Sequence, residues 1–128
     1  MHEIKVFNLH EGERQEWVGR GEYVGRPNAL GNPWREGVHG TRAIIIEKFR
    51  RWLFDIVTLA QRGRQSEMTD EQRLAYARLL QLFEISQQRT LNLLCYCKPL
   101  PCHADVIKSC LEWMNSQGAW KQREAAHG

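Results

Sequence analysis

The segment TLNLLCY, residues 90–96, is a nearly continuous apolar run of strand length. A strand with one wet face alternates apolar and polar residues, so an uninterrupted run reads as a central strand buried on both faces. The rest of the chain must then supply neighbouring strands and the helices that cover them. IKVFNL at residues 4–9 reads as a short strand with β-branched and aromatic content. Residues 16–18 and 21–24 suggest one or two more short strands, punctuated by Gly19, Gly21 and Gly25.

Three helices are expected. Thr41 caps the first, which runs to about Gln61 and ends at Gly63. Ile45, Phe49, Trp52, Leu53, Ile56 and Ala60 share one face, and Arg42, Lys48, Arg51 and Asp55 lie off it. The second starts at Thr69, where Gln72 completes a capping box and Asp70 and Glu71 suit the positive end of the dipole. Its apolar face carries Tyr76, Leu79, Leu80 and Phe83, and it fades near residues 87–89. The third begins at Cys102 or His103, buries Val106, Ile107, Cys110, Leu111 and Met114, and stops at Gly118.

The order is strands, helix, helix, strand, helix. It predicts an α/β class: a small single-domain, three-layer-type sheet with some parallel pairing, flanked by about three helices. The 128 residues suit one domain over residues 1–118, followed by a polar tail over 119–128 with Trp120 as its candidate anchor.

A formal charge of +3 is only mildly basic, and the sequence lacks the dense basic stripe of a dedicated nucleic-acid binder. The clusters Arg50–Arg51 and Arg62–Arg64 read first as solvated helix surface, and second as attraction for a phosphate-bearing ligand or nucleic acid. No stretch has the length of a membrane span, and the N-terminus lacks a secretory layout. The expected location is the cytoplasm, where thiols stay reduced, so the four cysteines are not read as a disulfide frame.

Residues 95–103, CYCKPLPCH, hold the densest chemistry. Three readings of Cys95, Cys97, Cys102 and His103 stand side by side. The ligand set suits tetrahedral zinc, although the spacing is not that of a structural knuckle. Alternatively, Cys102 at a helix N-terminus is a reactive thiolate, with His103 as proton carrier. In the third reading the sulfurs fill core space, which is favoured for Cys95 and above all for Cys110. The same helix start is a ready anion site, to which Lys98 adds a point charge.

Residues 25–34, GRPNALGNPW, are too rich in Gly, Pro and Asn for regular structure. Gly25 and Gly31 permit close backbone approach. Arg26 offers a fork for phosphate, Asn28 and Asn32 offer donors and acceptors, and Trp34 offers a ring for stacking. The plainer reading is a turn-rich connection with Trp34 as a core plug. His2, His10, His39 and His127 read as ordinary surface histidines. Both loops follow a strand and precede a helix, so parallel strands would put them on one rim, where α/β sheets collect ligands.

The segments GRPNALGNPW, KFRRWL and LLCYCKPLPCHADVI, in that order, resemble the bacterial and phage family catalogued as domain of unknown function 4326. The resemblance covers about residues 23–111. It implies a compact α/β domain in which Arg26, Asn32, Cys97, Cys102 and His103 are motif positions, and it implies no reaction and no cofactor. The expectation from the residues is a phosphate-bearing ligand, a nucleotide or nucleoside derivative. Gly25, Arg26, Asn28, Gly31, Asn32, Trp34 and Lys98 would bind it, with Cys102 and His103 as the catalytic pair. The alternative is a non-catalytic module in which Cys95, Cys97, Cys102 and His103 hold zinc and basic helix faces dock nucleic acid or a protein.

Overall fold

The computed structural model describes residues 1–8, 21–95, 100–118 and 120. Strand β1 spans Ile4–Asn8, β2 Glu22–Tyr23 and β3 Leu91–Cys95. Helix α1 spans Arg42–Gln61, α2 Asp70–Gln88 and α3 His103–Gln117, with a 3-10 turn at Gln65–Glu67 before α2. The chain is therefore mixed α/β, with three helices on a small sheet.

The sheet order is β1-β3-β2, and both pairings are parallel. Ile4 stands opposite Leu91 and Asn8 opposite Cys95 on one side, and Tyr23 opposite Leu94 on the other. Val24 extends the second ladder by donating its N–H to the Leu94 carbonyl at 3.1 Å. The apolar run is thus the central strand, as its composition requires. The expected strand at residues 16–18 lies outside the described residues, as do Leu9 and Tyr96 at the ends of the two longer strands.

Layering follows from which side chains join the core. Leu91, Leu93 and Cys95 of β3 and Ile4 of β1 belong to one cluster with the buried stripes of all three helices. Leu94 points the other way and is nonetheless only 4% exposed. The chain entering β2 lies against it, since a Cβ at Gly21 would come within 2.5 Å of Leu94 Cδ1. Among the described residues, then, the helices share one face of the sheet, and chain rather than helix meets Leu94 on the other.

Local signals explain the helix ends. The Thr41 hydroxyl accepts from Ile44 N at 3.3 Å. Thr69 and Gln72 form the reciprocal capping box, at 3.2 and 2.9 Å. Helix α3 closes on Gly118 at φ 74°, the left-handed conformation that glycine adopts without strain. All five residues expected on the α3 stripe are fully buried. In α1 the buried set is Ile45, Phe49, Leu53, Ile56, Val57 and Ala60, while Trp52 sits at the core's edge. Arg50 and Arg51 pair with Glu47, and Arg64 pairs with Glu67, all on exposed surface. No helix among the described residues is long and apolar enough to cross a membrane.

Candidate functional site

Parallel neighbours end at the same edge of a sheet, so β2 and β3 deliver their following loops to one rim. Residues of both loops line a single cleft there of about 360 Å³, within the range of small-molecule pockets. The first loop contributes Gly25, Arg26, Asn32 and Trp34. The second contributes Cys95, Pro101, Cys102 and His103. Tyr23 of β2, Glu36, and the first turns of α1, with Arg42, Ile45 and Ile46, complete it.

Asparagine side chains hold the first loop in shape. Asn28 donates Nδ2 to the Tyr23 carbonyl at 3.0 Å and accepts from Leu30 N at 3.1 Å, so both ends of its amide grip the loop itself. It does not line the cleft. Asn32, 8% exposed, donates to the Ile45 carbonyl at 3.2 Å and accepts from Trp34 N at 3.0 Å, which ties the loop to α1. Gly31 sits where a Cβ would come within 2.8 Å of Arg26 N and 3.0 Å of the Asn28 carbonyl, and it faces away, toward a separate surface hollow beside Trp52. At Gly25 a Cβ would strike the Tyr23 ring, whose hydroxyl donates to the Arg26 carbonyl at 2.9 Å. Trp34 is half-buried, packing on the core and lining the cleft, so it partly serves the plug role as well.

Cys102 and His103 open α3. Cys102 is the N-cap: its Sγ accepts from Ala104 N at 3.5 Å, and its own N–H donates to the Asp105 carboxylate at 3.1 Å. His103 Nε2 lies 2.7 Å from the Val24 carbonyl, and its Nδ1 lies 3.5 Å from Cys102 Sγ. A carbonyl only accepts, so Nε2 carries a proton. In the neutral ring Nδ1 then presents its lone pair to the sulfur. The ring is also held edge-on to Phe49, with centroids 5.2 Å apart. The arrangement sets a thiol beside a ring nitrogen whose opposite nitrogen is held by a backbone carbonyl, a layout that nucleophilic catalysis can use. The positive end of the α3 dipole and the Asp105 carboxylate both lie in the turn that Cys102 caps. Cys95 and Cys102 are each 1% exposed and belong to the core cluster while lining the cleft, so the core-filling role holds for them too. Cys110 does not line the cleft. It is fully buried in α3, and burial alone pushes its thiol up to about 12 from an ordinary 9.0.

Two expected residues, Cys97 and Lys98, lie outside the described residues. Among the described residues no three His, Cys, Asp or Glu side chains gather as metal ligands. Sequence reading passed over Arg42 and Glu36. Arg42 lies off the apolar stripe of α1, and that is all its spacing says of it. The signal that points to it is position: it is the first residue of the helix that follows β2, and such helix starts face the rim. His39 is exposed and accepts from Arg35 N at 2.8 Å, a local turn contact. His10 and His127 are outside the described residues.

Fold and site together define a small α/β domain with a cysteine–histidine pair in a cleft at the carboxyl edge of a parallel sheet. The chain belongs to the family described as "Domain of unknown function (DUF4326)", which it matches over residues 7–113. No curated protein and no solved structure matches it.

Proposed function

We propose that this cleft binds and processes a phosphate-bearing small molecule, a nucleotide or nucleoside derivative. The observation that carries the reading is the meeting of both loops around one hollow whose lining includes two guanidinium groups and a cysteine–histidine pair. Arg26 and Arg42 against Glu36 leave the charged lining with an excess of one positive charge, and two helix N-termini open onto it. Trp34, Ile45 and Ile46 supply the apolar surface on which a base or sugar packs.

The chemistry assigned to the pair is nucleophilic. The Cys102 S–H bond breaks, its proton passes to His103 Nδ1, and sulfur bonds to an electrophilic centre of the ligand. The leaving group departs with the electron pair of the broken bond and takes up the proton from Nδ1. Water then releases the second product and restores the thiol. We place the protein, whether encoded by a bacterium or by its phage, in the bacterial cytoplasm, where the thiol stays reduced.

Calorimetric titration with nucleoside mono- and diphosphates, alongside the parent nucleosides, tests the reading. Arg26→Gln should weaken the phosphorylated ligands by about tenfold or more and leave the nucleosides unaffected. Cys102→Ser should retain the fold, because serine is a better N-cap than cysteine, and should abolish turnover. Nucleotide affinity unchanged in Arg26→Gln, together with turnover unchanged in Cys102→Ser, would exclude this arrangement.

A further inference from the structure

Arg42 is held at both ends of its guanidinium. Nη1 donates to the Pro101 carbonyl at 3.3 Å, and Nη2 meets Glu36 Oε2 at 3.0 Å. The first contact joins α1 to the chain that leads into α3, across 59 positions of sequence, and so fixes the guanidinium within the cleft. The second contact is of another sort. Glu36 stands on the exposed turn at residues 35–40, and its side chain is 51% exposed, so the carboxylate can leave Arg42 for water without a desolvation cost. The turn is built on Gly37 at φ 82° and Gly40 at φ 141°, and Gly37 N donates to the Gly40 carbonyl at 2.9 Å. That backbone presents Glu36 to the cleft, yet the carboxylate does not help close the turn.

An Arg–carboxylate pair this exposed contributes little to stability. A phosphate group presents the same acceptor geometry with more charge and more oxygens. We infer that Arg42 is the cleft's inner phosphate anchor and that Glu36 is its resting counter-ion, displaced when the phosphate of a ligand takes its place on Nη2. The inference deepens the proposed function and rests on it for the presence of a phosphate. It adds the residue that receives the phosphate, and a built-in competitor that selects against weaker anions. A monoanionic carboxylate exchanges like for like with Glu36 and gains little, whereas a phosphate dianion gains a charge.

The test is calorimetric titration of the full chain with inorganic pyrophosphate, and in parallel with acetate and a nucleoside diphosphate. Variants are Glu36→Gln, Arg42→Gln and Arg42→Lys, each first shown to melt cooperatively. Glu36→Gln is expected to tighten pyrophosphate by about three- to tenfold, and Arg42→Gln to weaken it by about tenfold or more, with Arg42→Lys between Arg42→Gln and wild type. Acetate should stay weak throughout. Pyrophosphate affinity unmoved by either Glu36→Gln or Arg42→Gln overturns the inference, as does failure of both wild type and Glu36→Gln to bind pyrophosphate. Nucleoside diphosphate that binds tightly yet ignores positions 36 and 42 removes this inference and leaves the proposed function standing. Pyrophosphate that follows the expected pattern while nucleosides add nothing removes the nucleotide reading and leaves Arg42 as anchor.

Discussion

Gly31 shows how closely the cleft's first loop is drawn together. The atoms a Cβ would meet there, Arg26 N and the Asn28 carbonyl, are backbone, which cannot swing aside as a side chain can. Gly31→Ala should therefore destabilise the fold by about 1–3 kcal/mol, the usual cost of overpacking. It should also displace Arg26 and weaken binding of the proposed phosphate-bearing ligand more than melting alone accounts for. Urea unfolding and titration of the same sample check both, and a wild-type midpoint with wild-type affinity would refute the claim. His103 makes a related point. Its ring orientation depends on one carbonyl, that of Val24, which sets which nitrogen faces Cys102. A backbone carbonyl carries no residue identity, so nothing in the sequence points to it.

At the scale of elements, α3 carries two buried cysteines. Cys102 caps the helix, lines the cleft and is 1% exposed, and Cys110 lies two turns further along, sealed in the core. The Cys110 thiol is raised by burial, so the unfolded chain gives up that proton near pH 9 while the folded chain keeps it until about 12. Between those values the folded state binds the extra proton. Stability therefore falls as pH rises, by at most about 1.4 kcal/mol per unit from this group. Below pH 9 the group contributes no pH dependence. Denaturant midpoints from pH 8 to 11 should decline more steeply in wild type than in Cys110→Ala, and equal slopes would show that the thiol is not sealed. The helices were also the most legible elements. Thr41, Thr69 with Gln72, and Gly118 mark their ends by local chemistry, and local chemistry is present in the chain before it folds.

At the scale of the molecule, the core is completed by a residue close to the C-terminus. Trp120 is 2% exposed, donates its indole N–H to the Tyr76 hydroxyl at 3.0 Å, and packs on Trp113 with ring centroids 5.7 Å apart. Trp120 thereby ties the chain just after α3 back onto α2 and α3. Trp120→Ala should cost about 3–5 kcal/mol, the range for deleting a buried large aromatic, and calorimetric melting would read it directly. A melting temperature shifted by only a degree or two would mean that this contact is dispensable. The α/β class, the parallel pairing, the central place of residues 91–95 and the helix stripes were all open to reading from the chain alone. Each rests on periodicity, capping or a run of apolar residues, and such signals lie within a few positions of one another. Both loops were equally visible as irregular, chemistry-bearing segments. What the chain alone left open was the pairing of distant groups: Arg42 with Pro101, His103 with Val24, and Trp120 with Tyr76. These contacts form only after a parallel sheet has brought two strand ends to one rim and one core has closed over its face. Local sequence settles which residues become helix or strand, because those preferences act over a turn or a pleat. Packing alone settles which side chains meet across the cleft, because those neighbours are separated by as many as 79 positions of chain.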